Sequence, residues 1–142
     1  RELYVPIADA YAQPPLAAGG LARLNPSTGK TIWNIDGPEP MCSWDQTNCE
    51  AAAVSTATLI PGAVFVGFSD GYLRIYDSEN GALLRAMDLA RPFESINGVP
   101  AHGGPVNGYP VVVSNDAIYV VSGGSTQTRP GNALIKLVPK KK

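Results

Sequence analysis

Short apolar and β-branched runs, each closed by a turn signal, recur along the whole chain. They cover residues 3–7, 20–25, 31–35, 54–60, 63–68, 72–76, 82–87, 110–113, 117–121 and 133–138. Between them stand Pro26-Ser27-Thr28-Gly29, Pro61-Gly62, Asp70-Gly71, Asn80-Gly81 and Asn115-Asp116. Asp-Gly and Asn-Gly are strong hairpin signals because both residues tolerate positive φ. No segment sustains the 3.6-residue apolar period of an amphipathic helix. The pattern predicts ten strands and an all-β fold.

The strands repeat. Leu24-Asn25-Pro26-Ser27-Thr28-Gly29 matches Tyr76-Asp77-Ser78-Glu79-Asn80-Gly81 at an offset of 52 residues. Leu3-Tyr4-Val5, Val64-Phe65-Val66 and Ile118-Tyr119-Val120 read as one strand written three times, and residues 134–138 echo 73–76. A period of roughly 50 to 60 residues with four strands per unit predicts four-stranded antiparallel propeller blades. With strands lettered A to D from hub to rim, residues 1–36 supply B to D of one blade. Residues 51–88 supply a full blade, and residues 108–138 supply A to C of the last. About two and a half blades result, a single partial propeller over residues 1–142. The short connections, 26–29, 61–62, 78–81 and 114–116, are all A–B or C–D turns, with the 69–71 B–C turn the one short exception. The long ones, 8–19, 37–50, 88–107 and 123–132, are all B–C or D–A connections and fall on the opposite face. Long loops carry function more often than short ones, so that face is the expected working surface. Incomplete repeats cannot cover their own end sheets. The remaining blades are therefore expected from another chain or another segment.

Composition narrows the classes. The chain of 142 residues is 44 % hydrophobic and 16 % charged, with 15 Gly, 13 Pro and a formal net charge of −1. Near-neutral charge argues against a nucleic-acid partner, which needs a basic face. The one basic run, Lys140, Lys141 and Lys142, reads as a solvated terminus. Apolar stretches such as 109–113 and 117–121 are too short to span a bilayer. The first residues already read as strand, with no signal or transit peptide ahead of them. A mature product or a piece of something longer is expected.

The candidate chemistry lies in loops. Cys42 and Cys49 flank six residues of a polar segment that carries Asp45 and Asn48. They are either a disulfide, which implies an oxidising compartment, or two free thiols in a reducing one. Closing that ring is worth roughly 2.5 kcal/mol in the chain-entropy model. The absence of CxxC and of any Cys/His cluster argues against structural zinc. Trp44, inside the cysteine loop, either stacks on a planar ligand or covers the disulfide. His102 is the only histidine. It is a proton acceptor, a ligand-lining residue or a locally bonded loop side chain. Glu94 and Asn97 share its loop; their oxygens suit calcium or serve as loop-stabilising acceptors. Gly98, Gly103, Gly104 and Gly108 permit positive φ or close backbone approach. Asp70, Asp77 and Asp116 sit at turns. No GxSxG, HExxH or paired-carboxylate motif is present.

The stretch from Gly20 to Trp33, with Thr28-Gly29-Lys30 before Trp33, resembles the repeat of pyrroloquinoline-quinone (PQQ) propellers, and residues 69–77 resemble a second copy. The segment Asn97-Gly98-Val99-Pro100-Ala101-His102-Gly103-Gly104 is similar to the last part of polyvinyl-alcohol-dehydrogenase-like quinoproteins. So are the Cys42…Cys49 loop followed by Ala51-Ala52-Ala53-Val54, and the closing Pro130-Gly131-Asn132-Ala133. The resemblance implies the C-terminal portion of an eight-bladed propeller with PQQ near its axis and a calcium ion. It implies oxidation of primary or secondary alcohols, electrons passed to a cytochrome c, and a periplasmic or secreted location. Asn97, His102 and Trp44 are then the expected cofactor-side residues, Glu94 the expected metal ligand, and Trp33 a tryptophan packing one blade on the next. The chain departs from the pattern in its blade count, in lacking CxxCH, and in having Arg85 where a tryptophan is expected. The alternative is a non-catalytic propeller serving as a binding or scaffold subunit.

Overall fold

A computed structural model describes residues 2–8, 19–44, 49–109, 111–123 and 129–139. The described residues hold twelve strands and no helix, so no helix is long and apolar enough to cross a membrane. The first sheet is β1 (Leu3–Ile7), β2 (Gly20–Leu24) and β3 (Thr31–Asp36). The middle sheet is β4 (Thr58–Ile60), β5 (Ala63–Gly67), β6 (Tyr72–Asp77) and β7 (Leu83–Asp88). β8 (Pro92–Phe93) and β9 (Ala101–His102) form a small hairpin. The last sheet is β10 (Val112–Ser114), β11 (Ala117–Ser122) and β12 (Ala133–Leu137). Every pairing is antiparallel and every sheet runs in chain order. The chain is all-β, a succession of meander sheets packed face to face as in part of a propeller.

Two expectations need correction. The strand expected over 54–60 is confined to Thr58–Ile60, with Ala53 making a single bridge to Phe68. The reason lies at Gly67. Its carbonyl takes both the Val54 and Ser55 amides (3.2 Å each), and its amide donates to Ser55 Oγ at 2.6 Å, so the chain bends away from the ladder there. The connection 88–107 is also not wholly irregular, because β8 and β9 pair within it. Of the expected run 110–113, Pro110 lies outside the described residues, and the strand begins at Val112. The expected loop 8–19 lies largely outside them too, as do residues 124–128 of the loop 123–132, Asp45, Asn48 and the terminal lysines.

The period-2 rule of strands explains the packing. In β5, Val64 and Val66 point to one side and Phe65 to the other. Val64, Val66, Phe68 and Tyr76 form a buried cluster with Ala51, Ala53 and Leu21, against which Tyr4, Trp33 and Ile35 of the first sheet pack. Phe65 and Leu73 form the opposite cluster with Leu89, Val106, Val111, Val120, Ala133 and Ile135. The middle sheet is thus covered on both faces. The outer faces of its neighbours are not: Leu3 and Ile32 on the first sheet are 49 % and 47 % exposed, and Val112 and Leu134 on the last are 52 % and 72 % exposed. The sandwiched position has an electrostatic consequence. Burial pushes the Tyr76 phenol up to about 12, while the nearby Arg74 charge opposes the shift. The folded chain keeps this phenol neutral between pH 10 and 12, where an unfolded tyrosine ionises. The stabilisation is therefore complete below pH 10 and lost as pH rises toward 12, about 2–3 kcal/mol in all. Urea melts at pH 9 and pH 11.5 are expected to show this loss, and Tyr76→Phe is expected to reduce it.

Candidate functional site

Described parts of three of the long connections meet around Gly71. A Cβ built there would lie 2.6 Å from the Ala90 Cβ, 3.0 Å from Trp44 Cζ3 and 3.1 Å from the Gly104 carbonyl oxygen. The cysteine loop, the 69–71 turn and the connection 88–107 therefore meet at van der Waals distance. Arg129, ahead of β12, completes the set by lying over the Trp44 ring, 5.4 Å from its centroid.

Beneath this surface is a buried ion pair. Arg74 projects from β6, and both nitrogens of its fork reach Asp70, at 2.9 and 2.6 Å. Both side chains have no exposure. Asp70 also accepts the Tyr72 amide at 3.1 Å and the Met41 amide at 3.3 Å. The guanidinium lies 4.5 Å from the Phe68 ring centroid and 5.1 Å from that of Tyr72. Among the described residues Arg74 Nε has no partner. Because Met41 precedes Cys42, the carboxylate ties the cysteine loop to the middle sheet. Cys42 and Cys49 form a disulfide with a Cα–Cα distance of 5.7 Å. The Cys42 amide points at Cys49 Sγ, and Ser69 Oγ links the next turn by donating to the Glu50 carbonyl and accepting the Ala52 amide. Cys42→Ser/Cys49→Ser is expected to lower stability by roughly 2 kcal/mol. The same substitution is expected to free Trp44 from its contacts, seen as a red-shifted emission that Trp33 does not share.

A second feature is a convergence of backbones. Ser122 Oγ donates to the Leu89 carbonyl (2.8 Å) and also contacts the Gly104 amide and carbonyl oxygen (3.1 and 3.0 Å). Around it, a Cβ at Gly103 would fall 1.7 Å from the Leu89 oxygen, and one at Gly131 2.7 Å from backbone atoms of Gly103 and Gly123. Glycine is required here by space, whatever the φ.

The third feature is a cleft of about 550 Å³ between the β8–β9 hairpin and β12. Glu94 and Asn97 line it with Phe93, Ile96, Leu134 and Lys136. Asn97 is engaged within its own turn, where its Oδ1 accepts the Ser95 hydroxyl at 2.7 Å and the Val99 amide at 3.2 Å.

The four residues singled out from sequence thus lie apart. Glu94 and Asn97 share the cleft. Trp44 packs at Gly71 under Arg129. His102 sits at the hairpin's end, its Nδ1 3.1 Å from the Gly103 carbonyl oxygen, its amide donating to Asn132 Oδ1 at 3.0 Å and its carbonyl accepting the Asn132 amide. Among the described residues no three His, Cys, Asp or Glu side chains converge to hold a metal ion. The described residues alone assemble no such cluster around Glu94. The Asp70–Arg74 pair was read from sequence only as a turn aspartate. The available signal was a charged residue inside the apolar strand Tyr72-Leu73-Arg74-Ile75-Tyr76, four positions after an aspartate.

In class, the chain is dehydrogenase-like in sequence. The particular relatives are two polyvinylalcohol dehydrogenases. Against that of Pseudomonas sp the chain is 29 % identical over 145 residues, 95 % of this chain and 22 % of the relative. Against that of Sphingopyxis sp. (strain 113P3) it is 31 % identical over 106 residues, 73 % of this chain and 16 % of the relative. The chain spans about a fifth of the length of these relatives. No protein-family profile matches it.

Proposed function

We propose that the chain is the C-terminal part of a PQQ-dependent alcohol dehydrogenase that oxidises primary or secondary alcohols or polyols and passes electrons to a cytochrome c in the periplasm or outside the cell. The observation that carries this reading is an alignment running over 95 % of the chain to a polyvinylalcohol dehydrogenase. The disulfide suits an oxidising compartment. On this reading the meander sheets are strands B to D of one blade, a full blade, and strands A to C of the last blade of an eight-bladed ring. The rest of the ring supplies the remaining blades and the ligands of the calcium ion and the quinone. When bound, PQQ supplies the two-electron acceptor. This chain's own contribution is wall: the disulfide loop, Trp44 under Arg129, and the glycine convergence fix one sector of the loop face and exclude water from it.

The test is made on native material, in which these residues occur with whatever polypeptide accompanies them. Denaturation is expected to release PQQ in near one-to-one ratio, and alcohol-dependent dye reduction is expected to fall on chelation with EDTA and return with calcium. Native material that contains no quinone and reduces no dye would overturn the reading and leave the alternative, a non-catalytic propeller subunit.

A further inference from the structure

Asparagine stands directly before glycine at Asn80-Gly81, Asn97-Gly98 and Asn107-Gly108. Such a pair carries its own chemistry. The glycine nitrogen can attack the side-chain carbonyl carbon of the preceding asparagine, because no Cβ blocks the approach and the two groups are neighbours in one chain. The attack is favoured where the glycine N–H is weakly bonded, where donors meet the carbonyl oxygen on which charge builds, and where water has access. Sequence alone does not rank the three pairs; their surroundings do.

Gly81 is buried, and its amide donates to the Asp77 carbonyl at 2.9 Å. A Cβ there would lie 3.1 Å from Trp33 Cε3, so ring closure at this pair has to lift the turn off the first sheet. The Gly108 amide reaches a distant partner, the Val54 carbonyl, at 3.1 Å, and Asn107 is half-buried. At the third pair Asn97 and Gly98 are both exposed, and the adjoining Ile96 is fully so. The Gly98 amide makes only a long bond inside its own turn, 3.3 Å to the Ser95 carbonyl. No atom lies within 4 Å of a Cβ built on Gly98. Asn97 Oδ1 accepts both the Ser95 hydroxyl at 2.7 Å and the Val99 amide at 3.2 Å. The Ser95 hydroxyl oxygen also lies against the Val99 carbonyl, which keeps it in place. Among the described residues nothing bonds Asn97 Nδ2, the group that has to leave.

We propose that Asn97 is a site of self-modification, where the chain converts its own side-chain amide to a carboxylate with the Ser95 hydroxyl and the Val99 amide polarising the carbonyl. The Gly98 nitrogen bonds to Asn97 Cγ. The Cγ–Nδ2 bond breaks, and the side-chain nitrogen leaves as ammonia with the proton that Gly98 gives up. Water then opens the cyclic imide at either of its two carbonyls. One opening yields aspartate; the other yields isoaspartate, in which the main chain runs through the former side chain. The net reaction consumes one water and releases one ammonia, and no oxidant or reductant enters. The aspartate product keeps an acceptor for Ser95 and Val99, whereas the isoaspartate product lengthens the main chain and shifts the turn. Either one places a new carboxylate in the cleft that Glu94 already lines. This inference needs no quinone and survives if the proposed chemistry fails.

The experiment ages native material in mildly alkaline buffer, digests it, and follows the three asparagine peptides by mass spectrometry, with isoaspartyl methyltransferase labelling to count the isoaspartate. Asn97 is expected to convert several-fold faster than Asn107 and Asn80. In urea the three rates are expected to converge, because each pair is then only a solvated stretch of chain. Conversion at Asn97 no faster than at the other two in native material, or the same ranking in urea, overturns the proposal. Ser95→Ala is expected to slow conversion at Asn97 several-fold and to leave Asn107 unchanged. An equal or faster rate at Asn97 in that variant refutes the activation by the hydroxyl. Asn97→Gln, whose longer side chain closes the ring poorly, is expected to keep the melting temperature and to lose the acidic form that ageing produces on anion exchange. Persistence of that form in Asn97→Gln places the reaction elsewhere and overturns the assignment.

Discussion

Arg74→Met is expected to destabilise the chain by about 3–5 kcal/mol, measured as a shift in the urea midpoint. The physical reason is the partner left behind. Asp70 has no exposure, and without the guanidinium its charge is held by only the Met41 and Tyr72 amides. Asp70→Asn is expected to be comparably costly, since it leaves Arg74 buried between Phe68 and Tyr72 with its fork half-satisfied. The double variant is expected to cost less than the sum of the singles by about 2 kcal/mol or more, because it removes both charges together. Additive single effects, or singles below about 1 kcal/mol, would show that water reaches the pair. The effect extends beyond the middle sheet. Losing Asp70 also releases the Met41 amide, and with it the root of the cysteine loop.

Gly103→Ala is the second large effect, expected at about 3 kcal/mol or more. Its Cβ would sit 1.7 Å from the Leu89 oxygen and 2.4 Å from Ser122 Oγ. The first of these is backbone, so no rotamer change relieves the contact. The connection 88–107 would have to leave the last sheet, breaking the Ser122 bonds to Leu89 and Gly104. Gly108→Ala is the control. Gly108 has a φ of +75° with nothing within 4 Å of the added carbon, so only the left-handed backbone penalty of about 1–2 kcal/mol applies. Equal urea midpoints for the two variants would mean that the crowding at Gly103 relaxes at little cost.

Much of the fold was legible because period-2 alternation and turn chemistry act locally. Asn115 and Asp116 both take positive φ and close the β10–β11 hairpin, as the two-residue turn requires. The 52-residue offset between the two turns is reproduced down to their bulges. What was illegible depends on distant partners. The bend at Val54 and Ser55 is set by Gly67, twelve or more residues away, and no local propensity signals it. Glu94 and Asn97 were legible as neighbours in a loop. The Asn97 bonds to Ser95 and Val99 are local, but that Trp44 and His102 lie elsewhere depends on how distant connections pack together. Arg74 is not legible as a buried group, because a lone arginine in a strand reads as solvent-facing until its fork on Asp70 and its place against Phe68 and Tyr72 are known.

Among the described residues only the middle sheet has a neighbour on either side. Cooperativity in such a stack is passed from one layer to the next, so the ends have one coupling each where the centre has two. For these residues taken by themselves, thermal fraying therefore begins in the two end sheets and reaches β5 and β6 last, which makes the central layer the slowest-exchanging foldon and the seed from which the stack re-forms.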